Sequence, residues 1–240
     1  MKNNICFTYE KWDKDKEKTL NDYLYSIARL DRAEWTARIV NTKMKVLSID
    51  MNTLNEIVKE IRKGDIYSYL DLKNFQTLES MVIYGKLLIY INDINIIKKY
   101  LLDYLPYVDN WNLTDIISFK IKKDNTLSFY NLAKELIAYN KTFYIRMGVR
   151  ILFNMLSFDE YLDGIFEILG SLKSSEEYYV NMMVAWTLCE LFIKQRNKTL
   201  SFLEKGEYND FVANKTVSKC RDSFRVSKED KEMLLKFKRK

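Results

Sequence analysis

Four side chains in the middle and C-terminal thirds of the chain are of types that could act on a cationic ligand. Trp111 and Asp115 occur in VDNWNLTD, Arg146 in YIRMGVRIL, and Trp186 in VAWTLCELF. A four-residue step along a helix places Trp111 and Asp115 on one face. An aromatic face beside a carboxylate can bracket a positive charge. The four residues are therefore candidates for a binding or catalytic surface.

Each of these residues also has a structural explanation, which the sequence leaves open. Arg146, Arg150 and Asn154 follow one another at four-residue steps, a spacing that is also typical of an ordinary solvated helix face. Trp186 lies in a segment that is apolar nearly all round and could belong to the core. Asp115 is followed by two isoleucines, and a buried carboxylate needs a partner, for which Arg146 is the natural candidate.

The composition excludes much other chemistry. The 240 residues contain no histidine, which removes Ser–His and Cys–His nucleophiles and every histidine-containing metal motif. The three cysteines (Cys6, Cys189 and Cys220) are far apart and show neither zinc spacing nor a disulfide framework. No metal or organic cofactor is indicated.

The net charge of +6 is concentrated at the C-terminal end. Residues 215–240 contain ten Lys or Arg against four Asp or Glu, whereas residues 1–214 contain 29 of each sign. A basic end on a neutral body suits a polyanion such as nucleic acid, with Lys215 and Lys219 as candidate contacts. A solubilising terminus is the alternative.

The elements that must position these residues are predicted to be helices. Six glycines and one proline are few for this length, and no segment alternates apolar and polar residues. We predict an all-α fold, an α-solenoid of HEAT-like helical hairpins forming a single domain over residues 1–240, with a compact helical bundle as the alternative. The predicted pairs 126–139/142–156 and 161–171/176–195 recur at roughly 35 residues.

Capping signals define several of the predicted helix ends. Asp50 or Asn52 can begin a helix that ends near Gly64. Ser157 and Ser174 are each followed three residues later by glutamate, as in a capping box, and Ser227 has a weaker version before the last helix. The other predicted helices cover 10–29, 33–46, 76–90, 93–103, 110–119 and 208–225.

The sequence predicts a soluble, intracellular protein of the cytoplasm. No apolar run reaches the ~18 residues of a membrane span, and residues 1–18 lack the apolar core of a signal peptide.

From about residue 105 to 232 the chain resembles the bacterial DNA alkylation repair proteins with HEAT-like repeats, the alkylpurine DNA glycosylases. The matching stretches are DNWNLTDIISF, YIRMGVRILFNML, SSEEYYVNMMVAWTLCELFIK and NKTVSKCRDSFRVSKEDKEML. The resemblance implies a concave face that holds double-stranded DNA and releases 3- or 7-alkylated purines. It further implies that Asp115 is the catalytic carboxylate, that Trp111 and Trp186 contact the deoxyribose, and that Arg146 holds a nearby phosphate.

The N-terminal half, about residues 1–104, departs from this family pattern. Ser48, Ile49 and Asp50 stand where the family usually has glycine, an apolar residue and arginine. An acid in place of a base would weaken phosphate binding at this loop.

Residue chemistry and resemblance together predict a DNA glycosylase. An N3- or N7-alkylated purine is already cationic, so its departure needs a carboxylate but no general acid. We expect a monomer that acts on alkylated duplex DNA, with Arg150, Lys215 and Lys219 among its DNA contacts. A catalytically inactive DNA-binding repeat protein and a protein-interaction scaffold are the alternatives.

Overall fold

The computed structural model describes residues 6–239, which form helices and contain no β-strand. The chain divides into two compact units, the first ending at Ile117 and the second beginning at Ser118. The predicted all-α fold class is confirmed. The assignment of residues 1–240 to a single repeat domain stays a prediction.

The described part of the first unit, residues 6–117, contains seven α-helices. They are α1 (Lys14–Ser26), α2 (Leu30–Val40), α3 (Met51–Lys63), α4 (Ile66–Asp71), α5 (Leu78–Leu88), α6 (Ile94–Tyr104) and α7 (Trp111–Asp115), with a 3-10 helix at Leu105–Tyr107. Helix α5 is buried on nearly every side, and α3 and α7 both pack against it. We call α3, α5 and α7 the first row.

The first row is parallel where α3 meets α5. The backbone N–H of Ser48, just before α3, donates to Glu79 in the first turn of α5. At the other end, the Arg62 guanidinium lies 4.5 Å from the ring of Tyr90, just after α5. The start of α3 thus contacts the start of α5, and the end of α3 contacts the end of α5, so the two helices run in the same direction.

The second unit contains the remaining seven α-helices of the described chain. They are α8 (Thr126–Ala138), α9 (Thr142–Asn154), α10 (Leu162–Ser171), α11 (Tyr178–Lys194), α12 (Arg196–Lys205), α13 (Asp210–Asp222) and α14 (Lys228–Met233). Three 3-10 helices cover Asp159–Tyr161, Leu172–Ser174 and Leu234–Phe237. We call α9, α11 and α13 the second row.

Contacts along the second row repeat at a nearly constant chain separation. Arg146 contacts Tyr179 and Glu190 contacts Arg225, pairs separated by 33 and 35 residues. Phe153 packs on Trp186, and Tyr178 on Phe211, in the same order along each helix. The helices α9, α11 and α13 therefore run parallel, and the spacing agrees with the predicted helical repeat.

A second layer of helices in this unit also packs in chain order. Tyr130 of α8 contacts Tyr161 at the start of α10, and Phe166 of α10 packs on Phe202 of α12. Helix α8 also packs closely on α9, because at Gly148 even a Cβ would lie 2.7 Å from the carbonyl oxygen of Ala133. Two rows of successive helices are the packing of a helical-repeat protein.

The predicted helices 161–171 and 176–195 do not form the principal helix pair in this region. Helix α11 makes its most extensive contacts with α9, α12 and α13. The reason is that α11 is apolar nearly all round and is buried within the second row.

Helix ends confirm some capping predictions and contradict others. Asp50 caps α3, whose C-cap is Gly64, and Ser227 caps α14. The boxes at Ser157 and Ser174 are wrong, because α10 and α11 begin at later residues without a side-chain cap. Helices α4 and α12 were not predicted: α4 has six residues, and only Gln195 separates α12 from α11.

Candidate functional site

Helix α7 carries Trp111 and Asp115 as its first and last residues, and both are half-buried. Buried Asn110 caps the helix, with its side-chain oxygen accepting from the Leu113 N–H at 3.3 Å. The hydroxyl of Tyr104, on α6, donates to the carbonyl of Leu113 at 3.0 Å. These bonds hold a five-residue helix that is too short to be stable alone.

Thr114 is the residue beside this pair that the sequence reasoning missed. Its buried hydroxyl oxygen lies 2.9 Å from the carbonyl oxygen of Trp111 and 3.2 Å from Asp115 Oδ1. The hydroxyl can therefore orient the carboxylate relative to the helix. A hydroxyl directly before a candidate carboxylate is the only sequence signal, and by itself it is weak.

The arginines of α9 are buried, so the interpretation of this stripe as a solvated face is wrong. Arg146 is 4% exposed and its Nη1 donates to the carbonyl of Tyr179 at 2.7 Å. Arg150 is 6% exposed and its Nη1 donates to Asn154 Oδ1 at 2.7 Å. Burying a cation costs free energy unless the cation is hydrogen-bonded. The hydrogen bonds therefore hold both guanidinium groups at defined positions. The ion pair suggested for Asp115 and Arg146 stays a prediction.

Trp186 lies at the edge of the core and not within it. Its ring is half-buried and packs on Phe153, with ring centroids 4.7 Å apart. The Arg150 guanidinium lies 5.1 Å from the Phe153 ring and 5.9 Å from the Trp186 ring. Lys219 Nζ lies 5.9 Å from the Trp186 ring. We call Arg150, Phe153, Trp186 and Lys219 the Trp186 cluster.

Lys215 belongs to a neighbouring aromatic surface on the same row. Its Nζ lies 5.7 Å from the ring of Phe211, one turn earlier on α13. Phe211 makes an edge-on contact with Tyr178, which is 55% exposed. The sequence reasoning missed Tyr178 and Phe211, although Phe211 and Lys215 have the four-residue spacing of helical neighbours.

Two further contacts fix α13 and the turn that follows it against α11. Buried Glu190 forms a bidentate ion pair with Arg225, in which Nη1 donates to Oε2 at 3.0 Å. Cys189 and Cys220 are both buried, and a hydrogen bond between the thiols lowers the pKa of Cys189 and raises that of Cys220. The two cysteines are therefore small packing residues between α11 and α13.

The divergent loop before α3 is held by a buried carboxylate. Glu79 accepts from the N–H groups of Leu47 at 3.0 Å and Ser48 at 2.7 Å. Burial raises the pKa of Glu79 despite these bonds. Ser48 adopts φ = 57°, the left-handed conformation that favours the glycine usual in the family, and its hydroxyl lies 2.7 Å from that of Thr36.

Asp50 of this loop is used as a helix cap. Its Oδ1 accepts from the Thr53 N–H at 3.0 Å and its Oδ2 from the Thr53 hydroxyl at 2.8 Å. These hydrogen bonds lower the pKa of Asp50 from its ordinary value, so the cap is an anion at neutral pH. The carboxylate therefore has a structural role that explains an acid at this position.

None of the helices within residues 6–239 has the length and apolar content needed to span a membrane. Within the same residues, no three His, Cys, Asp or Glu side chains are grouped so as to hold a metal ion.

Comparison with known proteins identifies the family. Curated protein sequences give no match to the chain. A family described as DNA alkylation repair enzyme matches residues 20–220, which include α3, α5 and α7 as well as all of the second row except the last two residues of α13. The match thus extends well before residue 105, into the half that departs from the family pattern. On the strength of a match that covers most of its length, the chain belongs to the DNA alkylation repair enzyme family.

Proposed function

We propose that the protein is a DNA glycosylase that hydrolyses the N-glycosidic bond of cationic 3- or 7-alkylpurines in duplex DNA. The observation that carries the proposal is the Trp111–Asp115 pair, one turn apart on a helix fixed at its cap and by Tyr104. Membership of the repair family supplies the reaction context. Asp115 is the proposed catalytic residue.

The chemistry requires one carboxylate and a means of attracting a cation. As the bond between C1′ and the base nitrogen breaks, its electron pair neutralises the charge on the purine, and positive charge develops on the sugar. Asp115 would stabilise that charge and accept a proton from the water that adds to C1′. The face of Trp111 would favour the cationic nucleotide over a neutral one.

The second row is proposed to hold the DNA strand. Arg146 and Arg150 are buried in hydrogen-bonded positions, and an arginine fork matches the oxygens of a phosphate. Trp186 would contact deoxyribose, while Lys215 and Lys219 would contact the backbone. Exposed Tyr178 adds a ring on which a base could stack.

The test is release of 3-methyladenine or 7-methylguanine from methylated duplex DNA with enzyme in excess. We expect wild-type protein to release at least one of them and Asp115→Asn to reduce the rate by about 100- to 1,000-fold, the cost of removing one electrostatic stabiliser. Asp124→Asn is the matched control, because Asp124 is an exposed turn residue. Absence of release by wild-type protein under these conditions would exclude the proposed activity.

A catalytically inactive DNA-binding role is the second candidate, and the anionic cap at Asp50 favours it. A negative charge at a DNA-facing loop would weaken the hold on the phosphates that a glycosylase needs to place a lesion at Asp115, while the cations of the second row would still bind DNA. This role predicts salt-sensitive binding of DNA without base release from any methylated substrate.

A further inference from the structure

Lys86 of α5 is a half-buried cation whose ammonium has no hydrogen bond, ion pair or ring contact within residues 6–239. Desolvation by the surrounding residues lowers its pKa from the ordinary lysine value. Partial burial of an uncompensated charge costs free energy. The surroundings of Lys86 therefore indicate which kind of ligand would bind there.

Lys86 lines a cleft between α3 and α5. The cleft has a volume of about 310 Å³, and Asn52 and Asn55 of α3 line it together with Lys86. Neither asparagine side chain has a hydrogen-bond partner in the described part of the chain. Two amide groups and one ammonium thus offer hydrogen-bond donors to the same space, which suits a ligand rich in oxygen atoms.

The charge balance of the cleft is positive. Among the described residues that line it, the one carboxylate is Glu56, which is paired with Lys59, with Nζ and Oε1 2.6 Å apart. Tyr90 also lines the cleft, and the Arg62 guanidinium lies against its ring. An anion entering the cleft would therefore meet Lys86 as the uncompensated charge and Arg62 near the edge.

The cleft adjoins the helix that carries Asp115. Gly85, the neighbour of Lys86, is so close to α7 that a Cβ there would lie 3.3 Å from the side chains of Ile116 and Ile117. Successive helical residues point about 100° apart, so α5 directs Gly85 at α7 and Lys86 at α3. The donors of the cleft and the proposed catalytic carboxylate therefore belong to the same row.

We propose that the α3–α5 cleft binds a phosphate group of the DNA backbone, with Lys86 as the charged contact and Asn52 and Asn55 as further donors. The proposal rests on the proposed function for the identity of the polyanion, but not on the hydrolysis. It assigns DNA binding to the first unit in spite of the acid at position 50. Free inorganic phosphate has the same chemistry and is the competing source of the anion.

The experiment measures the affinity of full-length protein for an undamaged 20-base-pair duplex between 50 and 200 mM salt. Each phosphate contact contributes about 0.9 to the slope of log K against log salt. We expect Lys86→Gln to lower the magnitude of the slope by about 0.9 and Lys86→Arg to restore it. Lys18→Gln is the matched control, because it removes the same charge from an exposed pair with Asp22 on α1.

Three results would overturn the proposal. One is an unchanged slope for Lys86→Gln, and another is an equal decrease for Lys18→Gln, which would indicate a general charge effect. The third is Lys86-dependent binding of inorganic phosphate without any change in DNA affinity. Failure of base release by wild-type protein leaves these measurements intact, so the two proposals fail separately.

Discussion

Cationic side chains at the candidate site of the second row are held in the opposite way to Lys86 of the first row. In the second row, Arg146 and Arg150 are buried and hydrogen-bonded, and Lys219 lies over an aromatic ring. In the first row, Lys86 is half-buried and lacks any such contact in the described chain. The first row instead uses carboxylates, Glu79 and Asp50, to hold its own backbone.

This difference indicates a division of roles between the units. Cations that are held in place by carbonyls and rings are preorganised, so little entropy is lost when a phosphate binds. A cation without a partner gains most from a ligand but contributes nothing to the fold. Substitutions should therefore affect stability in the second row and mainly ligand binding at Lys86, and the following predictions test that contrast.

The largest effect is expected at Trp186. Trp186→Ala removes a ring that packs on Phe153 and lies near two cations, so we expect a loss of about 3 kcal/mol in the free energy of unfolding. Trp35→Ala is the control in the first unit, because Trp35 is 59% exposed on α2. Urea denaturation followed by circular dichroism measures both, and equal losses would break the contrast.

Arg146 should come next. Arg146→Lys keeps the charge but cannot reproduce the guanidinium geometry at the Tyr179 carbonyl, so we expect a loss of about 1–3 kcal/mol. Arg32→Lys on the exposed face of α2 is the matched control and should change stability by less than about 0.5 kcal/mol. If Arg146→Lys is as stable as wild type, the buried arginine is not a structural element of the second row.

Glu79 provides a pH test of the first row. Because burial raises its pKa above the ordinary value of 4.5, the folded state retains a proton that the unfolded state releases. Relative to Glu79→Gln, the stability of wild type should therefore fall as pH rises from 4.5 through the raised pKa, by at most about 1.4 kcal/mol per pH unit. Urea denaturation of both proteins across this range gives the difference.

The opposite trend is expected in a separate range of pH. Asp13 and Asp50 have pKa values below their ordinary 3.8, so the stability that they contribute is lost as pH falls through those lowered values.

Glu34→Gln on the exposed surface of α2 is the control for Glu79→Gln. A constant difference between wild type and Glu79→Gln above pH 4.5 would contradict the pKa assigned to Glu79.

The smallest effect concerns two lysines, one in each row. Lys219→Gln removes a cation from the Trp186 ring and should cost about 0.5 kcal/mol. Lys86→Gln removes a charge that is desolvated without compensation, so it should leave stability unchanged or raise it slightly. Thermal denaturation compares the stabilities of the two variants. A loss of stability in Lys86→Gln but not in Lys219→Gln would contradict the contrast between the rows.

Much of the helical organisation could be predicted from the sequence, because scarce glycine and proline and a 3.6-residue period are local signals. The helix beginning at Asp50 is an example, since its cap and its apolar face lie within one segment. Residues 196–205 were missed because their apolar residues are few and only Gln195 separates them from α11. The order in which α11 packs on α9 and α13 depends on residues about 33 positions apart, which no local pattern contains.

By itself, the sequence determined the residue types available for chemistry: no histidine, a Trp–Asp pair one turn apart, and arginines at four-residue steps. Only the tertiary structure decided that both of these arginines are buried, that Trp186 lies at the edge of the core, and that Lys86 has no partner among residues 6–239. The reason is that spacing fixes which face of a helix a side chain occupies. Burial depends instead on which other helix covers that face, and that is decided by packing across the whole unit.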